Sequence, residues 1–285
     1  MSGGKPSGSA RKYRVVIAYD GTGYSGWQFQ ENALGVQQVV EEALGSLEGA
    51  PVRIYGSSRT DAGVHARGFV GHFFLTKPIP PRNLARAMNA RLPDAIRIMR
   101  AAYAAPDFDA RLSAVGKEYR YQLYQADILP PHLAPYWTFC HRPLDLEAMR
   151  RAASMFVGRH DFVAFAANPN RTLDSTVRRI FSFEVRKAGP RYTFIVRGDG
   201  FLYKQVRSMV GFLISVGKGN ERPEAVGELL EAKSPRTARV ETAPSRGLSL
   251  WKVFYGAGGL RSIGGGADLN ETTKRLNGYE AADAG

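Results

Sequence analysis

Cysteine is almost absent from this sequence, with Cys140 as the single example among 285 residues. One cysteine excludes an internal disulfide and a metal site built from clustered thiolates. The histidines are also few and show no spacing typical of metal ligands; they occupy positions 65, 72, 132, 141 and 160. The sequence therefore offers no convincing site for a metal ion.

Long apolar runs are missing as well. No run approaches the roughly 18 residues that a membrane-spanning helix needs. Residues 1–12 are rich in Gly, Ser and Lys and lack the apolar core of a secretory signal, so we expect a disordered basic tail there. Residues 256–285 are rich in Gly and Ala and are expected to form a second disordered tail. A cytoplasmic location is expected by elimination.

Acidic residues are scarce relative to basic ones. The chain has 39 Lys and Arg against 26 Asp and Glu, which gives a formal net charge of +13. A surplus of this size favours a polyanionic partner such as a nucleic acid. The alternative is that the charge only keeps the protein in solution.

Hydrophobic periodicity predicts the same order of elements twice. In residues 13–112 a helix is predicted from Val36, with Val40 and Leu44 facing inward and Gln37 facing water. The first region then has strands at 13–19, 52–55, 69–75 and 96–102 and a second helix at 83–90. This β-α-β-β-α-β order is that of a ferredoxin-like unit in an α+β protein.

Residues 113–255 repeat that outline without visible sequence identity to the first region. Asp145 is predicted to cap a helix, and residues 202–216 form the most apolar helix of the chain. Around them the pattern predicts a strand at 119–124, a long connection at 125–143, a hairpin of 181–186 with 192–197, a helix starting at Pro223 and a strand at 248–255.

A glycine-rich stretch follows the first strand and formally matches a dinucleotide-binding fingerprint. Residues 21–26 read G-T-G-Y-S-G, which fits G-x-G-x-x-G. That fingerprint should open a helix directly, whereas here the next helix starts only at about Val36. We therefore reject a dinucleotide site and interpret the stretch as a loop that carries an aromatic residue.

A polar loop at residues 56–66 separates two apolar strands and holds one carboxylate, Asp61, two residues after Arg59. An ionised aspartate can act as a nucleophile or as an electrostatic stabiliser. By spacing alone, the more frequent role is a turn in which Asp61 caps a neighbouring N–H.

The sequence of this loop, S-R-T-D-A-G-V-H-A, closely resembles the catalytic loop of the tRNA pseudouridine synthase A (TruA) family. Three other stretches are similar to the same family: Y-D-G-T-G-Y-S-G-W-Q from Tyr19, Y-R-Y from Tyr119 and V-R-S-M-V-G from Val206. The resemblance covers residues 13–255. It implies that the two ferredoxin-like units join into one extended antiparallel sheet flanked by helices.

The resemblance also implies roles for five residues. Asp61 matches the catalytic nucleophile and Arg59 the arginine beside it. Tyr119 matches a tyrosine that stacks on the target uracil, Leu248 an apolar residue of the base pocket, and Arg207 an arginine that pairs with the aspartate. Without the resemblance, Tyr119 could simply pack in a sheet, and Arg207 could belong to a structural salt bridge, because a guanidinium in an apolar helix is costly unless paired.

The activity implied is isomerisation of uridine to pseudouridine at positions 38–40 of the tRNA anticodon stem-loop, by a homodimer and without a cofactor. Two alternatives stay open: a tRNA-binding or tRNA-folding protein without catalysis, and a glycosidase or nucleoside hydrolase that would need a second, protonated carboxyl group. As a set, nine basic residues are candidates for phosphate contacts, and the alternative for each one is a solvated surface charge. They are Arg82, Arg86, Arg91, Arg111, Lys117, Arg171, Arg178, Arg179 and Lys204.

Overall fold

The computed structural model describes residues 10–167 and 175–256 together with residues 258 and 259. The chain divides into two compact units, Met1–Ala114 and Val115–Gly285. Residues 1–9 and 260–285 of the expected tails, and residues 168–174, lie outside the described residues. Within the described ranges, no helix combines the length and the apolar character needed to cross a membrane.

The first unit has the predicted β-α-β-β-α-β order, and the α+β class is confirmed. Its strands lie in the order β4-β1-β3, with β2 pairing β3, and the mapped pairs are antiparallel. Its elements are β1 (Arg11–Tyr19), α1 (Val36–Glu48), β2 (Tyr55–Gly56), β3 (His65–Leu75), α2 (Pro81–Asn89) and β4 (Ile96–Tyr103). Strand β1 therefore begins two residues before the predicted start at Tyr13.

Alternation in β1 sends Tyr13, Val15 and Ile17 into the core, where none of the three is exposed. Helix α1 buries Val40 and Leu44 as predicted, but it also buries Gln37, which we expected to face water. The Gln37 amide nitrogen donates to the carbonyl of Ile54 at 3.3 Å, and its oxygen accepts the N–H of Phe29 at 3.1 Å. A buried amide is tolerated because both of its ends are hydrogen-bonded.

Strand β2 is shorter than the predicted range 52–55. Val52 and Ile54 are buried as expected, yet the backbone of Ile54 pairs with side chains of α1. Its N–H donates to Glu41 Oε1 at 3.0 Å and its carbonyl accepts from Gln37. Helix side chains thus satisfy backbone groups that a strand partner would otherwise satisfy.

The second unit repeats this architecture with additions. Its elements are β5 (Ala114–Gln125), β6 (Thr138–Cys140), α3 (Leu146–Met155), β7 (Gly158–Asp161), β8 (Val177–Ala188), β9 (Arg191–Gly198), α4 (Gln205–Gly217), α5 (Ala225–Ala232) and β10 (Leu248–Tyr255). The strand order is β10-β5-β9-β8-β7, and β6 pairs with β5 in parallel. The first four positions correspond to β4-β1-β3-β2 of the first unit.

Several predictions for this unit are confirmed. Asp145 caps α3 by accepting the N–H of Ala148 at 2.9 Å, β8 and β9 form the hairpin, and β10 spans the predicted residues. The predicted long connection at 125–143 instead contains β6. Helix α4 buries most of its residues, as its composition predicts.

Candidate active site

The loop that carries Asp61 joins β2 to β3 and is fixed at both ends by hydrogen bonds. Ser57 is fully buried and exchanges two bonds with Val70: its N–H donates to the Val70 carbonyl at 2.8 Å, and its hydroxyl accepts the Val70 N–H at 3.3 Å. Thr60 Oγ1 lies 2.8 Å from the Tyr19 hydroxyl, and the Thr60 carbonyl accepts the Trp27 N–H at 3.1 Å. The residue before Asp61 is therefore held on two sides.

The glycine-rich loop at residues 21–26 packs directly against this segment. A Cβ on Gly21 would lie 2.1 Å from the Val64 carbonyl oxygen, and one on Gly26 would lie 2.4 Å from the Thr60 carbonyl oxygen. Gly26 also has a φ of +92°, in the left-handed region that favours glycine. Gly21 and Gly26 are present because two backbones pass each other too closely for any side chain, which explains the first and third glycines of the G-x-G-x-x-G pattern without a nucleotide.

His65 lies at the end of the loop, where β3 begins. Its Nδ1 accepts the N–H of Gly21 at 3.1 Å and lies 3.1 Å from Asp20 Oδ1. His65 is buried and is already the first residue of β3. This hydrogen bond connects His65, at the end of the loop, to the glycine-rich segment. His72 Nδ1 accepts the N–H of Ala110 at 3.1 Å, and its ring stacks on Tyr55, directly before the loop, with centroids 5.0 Å apart. Burial lowers the pKa of His72.

Asp61 itself begins a tight turn at the tip. Its carbonyl accepts the N–H of Val64 at 3.1 Å, and Gly63 in that turn has a φ of +72°. The side chain of Asp61 is partly exposed, and Arg59 and Ala62 on either side are exposed. The loop thus presents a carboxylate on a backbone that is tied down on both flanks.

An aromatic cluster forms the floor beneath the loop. The Trp27 ring stacks on Phe69 with centroids 3.8 Å apart, and Tyr19 lies 6.2 Å from Trp27 and 5.9 Å from Phe69. A Cβ on Gly56 would lie 2.6 Å from the Phe69 ring, so the chain enters the loop directly over these rings. Packing of this kind fixes the position of a catalytic group better than a mobile loop would.

Tyr119 and Leu248 lie on neighbouring strands of the second unit, β5 and β10. Tyr119 is 7% exposed and meets the Phe201 ring edge-on at 5.2 Å, and Leu248 is 5% exposed. Two residues along β5, the Tyr121 ring would lie 2.6 Å from a Cβ on Gly247, the residue before Leu248. The second unit therefore brings the Y-R-Y stretch and the segment before β10 together.

The Tyr121 hydroxyl is a further feature of this region that the sequence did not reveal. It lies 2.5 Å from Thr138 Oγ1 and donates to the Pro244 carbonyl at 3.0 Å. Burial raises the pKa of Tyr121, and the positive charges of Arg207 and Arg246 oppose that shift. Of these two arginines, Arg207 belongs to the quoted V-R-S-M-V-G stretch.

Arg207 is less buried than its position in an apolar helix suggested. It occupies a partly exposed position of α4, so the argument that its burial alone demands an anion does not hold. Its Nε donates to the Ala243 carbonyl at 2.8 Å, and its own carbonyl accepts the Ala243 N–H at 3.0 Å. These two hydrogen bonds attach Arg207 to the segment before β10 and fix the position of its side chain.

The predicted site residues fall into two sets. Arg59 and Asp61 belong to the first unit, and Tyr119, Arg207 and Leu248 to the second. Among the described residues, no group of three or more His, Cys, Asp or Glu side chains is arranged to hold a metal ion.

The family model and the relatives that match this chain have the same description. A sequence model of a family described as tRNA pseudouridine synthase matches residues 15–112 and 152–256. The tRNA pseudouridine synthase A of Syntrophotalea carbinolica is 46% identical over 242 residues, covering 85% of this chain and 95% of that relative. The enzyme of the same name from Exiguobacterium sibiricum is 43% identical over 249 residues, covering 86% and 97%.

Similarity to solved structures is weaker. A chain from a structure described as an H/ACA RNP bound to a substrate RNA containing 2'-deoxyuridine is 13% identical, with a TM-score of 0.34. The match covers 71% of this chain and 44% of that one. At this TM-score the likeness supports no conclusion about this chain.

Proposed function

The chain belongs to the tRNA pseudouridine synthase family, and from that membership we propose that it isomerises uridine to pseudouridine in tRNA, at positions 38–40 of the anticodon stem-loop. The observation that carries the proposal is the Asp61 loop, which keeps both Arg59 and Asp61 of the family's motif. Gly21 and Gly26 pack closely against the backbone of this loop, within the region that the family model matches. A tRNA-binding protein without catalysis would have no need for a carboxylate fixed in this way.

The reaction balances without any other reagent. The bond between uracil N1 and ribose C1′ breaks, the base turns, and a bond forms between C1′ and C5. The proton on C5 is lost and N1 gains one, so substrate and product have the same composition. A nucleophilic carboxylate that adds to the nucleotide and later leaves meets these requirements, whether it adds at C1′ or at C6 of the base.

We propose Asp61 as this nucleophile, with Arg59 beside it and Arg207 as the cation that pairs with the carboxylate. Tyr119 would stack on the uracil and assist removal of the C5 proton, and Leu248 would line the base pocket. The buried positions of Tyr119 and Leu248 support a role in holding an apolar base face. The bond from Arg207 to Ala243 supports a fixed direction for its guanidinium.

The target uridine must leave its stack before a carboxylate can reach it. Extrusion costs a few kcal/mol, which stacking on an aromatic ring and contacts with the phosphate backbone can offset. The formal charge of +13 supports such backbone contacts. We also propose a homodimer, which would spread two such charges along one tRNA, and a cytoplasmic location, where tRNA is available.

The direct test is to incubate the purified protein with an unmodified tRNA transcript and map pseudouridine along the RNA. We expect modification at positions 38–40 and no free uracil. Binding without modification would favour the non-catalytic alternative, and release of free uracil would favour the hydrolase. Light scattering on the same sample tests the homodimer, against a chain mass of 31.3 kDa.

Replacement of Tyr119 by Phe tests the proposed proton transfer. The ring and its contact with Phe201 are kept, so the melting temperature should stay unchanged. Loss of the hydroxyl should slow turnover by about 10²- to 10⁴-fold, the usual contribution of a positioned acid or base. Single-turnover product formation is the measurement.

Tyr124→Phe on the same strand is the matched control, since Tyr124 packs against Trp137 and is outside the proposed site. It should keep full activity. If Tyr119→Phe is equally silent, the Tyr119 hydroxyl takes no part in the reaction and the proposed proton transfer is wrong.

A further inference from the structure

A groove on the first unit lies between α2 and the outer strand β4, and it has a volume of about 470 Å³. Three of the residues that line it are arginines, and the others include small or apolar side chains. The residues used below are Arg82, Ala85, Arg86, Met99, Arg100 and Ala101. Two of the arginines had been predicted to bind phosphate, whereas Arg100 comes from a strand and was not among the predicted contacts.

The three arginine side chains are exposed and available. Among the described residues, none of Arg82, Arg86 and Arg100 takes part in an ion pair or a side-chain hydrogen bond. Neighbouring arginines behave differently: Arg91 donates to the Ala87 carbonyl at 2.9 Å, and Arg97 pairs with Asp94. The groove arginines therefore retain their full capacity to bind an anion.

No acidic residue offsets this charge from within α2, whose sequence is P-R-N-L-A-R-A-M-N. Arg82 and Arg86 are four residues apart on one helix face, so their Cβ atoms lie about 5–6 Å from each other. Arg100, on β4, is the third arginine of the groove lining. Like charges this close repel one another, and a bound polyanion would remove that repulsion.

The small and apolar part of the groove lining fits the sugar part of a nucleic-acid strand. Ala85 and Ala101 leave room, and Met99 is 64% exposed, which gives an apolar surface between the charges. Guanidinium groups bind phosphate oxygens in a planar, bidentate way. Arginines together with small and apolar side chains in one groove match the chemistry of a phosphodiester backbone.

We propose that this groove binds the phosphate backbone of tRNA at a second place, apart from the Asp61 loop; the proposal rests on the tRNA substrate proposed above. In the sheet, β1 separates β4 from β3, the strand that leaves the loop. Two strand spacings amount to roughly 10 Å. Arg100 also pairs with Val16, three residues along β1 from Tyr19, which adds about 10 Å. A uridine at Asp61 and the groove are thus a few nucleotides apart.

A second copy of this chain is a less suitable occupant. An outer strand can pair with another protein strand, but charged side chains on the edge oppose such pairing. β4 carries Arg97 and Arg100, and Arg82 and Arg86 stand above it. Charge complementarity therefore favours RNA over a protein edge.

The test compares two triple variants with equal loss of charge. Arg82→Gln with Arg86→Gln and Arg100→Gln removes the groove cations. The control carries Arg142→Gln, Arg151→Gln and Lys218→Gln, three exposed residues of the second unit. The dissociation constant for tRNA is measured by fluorescence anisotropy over a series of salt concentrations, and turnover is measured at saturating tRNA.

We expect the groove variant to bind tRNA about 10²-fold more weakly at 0.1 M salt and to lose about 2–3 from the slope of log K against log salt, because each phosphate contact contributes roughly 0.7–0.9. The control should keep nearly the wild-type slope. Turnover of the control variant at saturating tRNA should match wild type, because none of its three residues belongs to the proposed active site or to the groove.

Three results would overturn the proposal. An unchanged slope would show that the arginines contact no phosphate, and an equal loss in both variants would show that only net charge matters. A fall in the mass of the groove variant by light scattering, with tRNA affinity retained, would assign the groove to a second copy of the chain. If wild-type protein binds tRNA through the groove yet forms no pseudouridine, the proposed activity fails while the groove stands.

Discussion

Replacement of Asp61 by Asn should abolish pseudouridine formation while tRNA still binds. The amide has the shape of the carboxylate but lacks the negative oxygen that adds to the nucleotide. We expect a fall in the single-turnover rate of at least about 10⁴-fold, which corresponds to roughly 5.4 kcal/mol in the barrier. The dissociation constant for tRNA should change by less than about threefold, or roughly 0.7 kcal/mol.

Asp94→Asn provides the matched control, since Asp94 is a fully exposed carboxylate of the same unit that pairs only with Arg97 in the described contacts. It should leave both rate and affinity at wild-type values. A rate for Asp61→Asn within about tenfold of wild type, equal to only ~1.4 kcal/mol, would exclude Asp61 as the nucleophile.

Replacement of Gly21 by Ala should also lower turnover strongly, although Gly21 carries no side chain. The added Cβ would lie 2.1 Å from the Val64 carbonyl oxygen, so one of the two backbones must move. The N–H of Val64 donates a hydrogen bond to the carbonyl of Asp61. Movement of Val64 therefore displaces Asp61 and its carboxylate. A misplacement of about 1 Å can cost 10²-fold in rate. We expect turnover to fall by about that factor, with a loss of about 1–3 kcal/mol in stability from overpacking.

Gly23→Ala is the matched control, because it is the same substitution two residues away. A Cβ on Gly23 would meet no described atom within 4 Å, so this variant should fold and turn over like wild type. Turnover rates and melting curves of both variants decide the matter. Equal activity of the two would mean that the loop can shift without moving Asp61, and the proposed role of the glycine loop would be wrong.

Periodicity predicted best those elements whose buried face is set by the apolar residues of the element itself. The strand β10, the β8–β9 hairpin and the buried helix α4 follow the apolar pattern within their own residues. Strand β2 does not follow its apolar pattern, because the backbone of Ile54 is hydrogen-bonded to the side chains of Glu41 and Gln37 on the preceding helix. A pattern of apolar residues carries no information about which distant group will satisfy a backbone N–H.

The sequence by itself determined the α+β class, the family and the candidate nucleophile, because an eleven-residue loop with Arg59 and Asp61 is specific enough to identify its relatives. Only the tertiary structure decided why Gly21 and Gly26 stand beside that loop, how exposed Arg207 is, and that Arg100 joins Arg82 and Arg86 in one groove. The physical reason is that each of these facts depends on atoms from elements far apart in the chain. Folding sets their distances, and spacing along the sequence cannot.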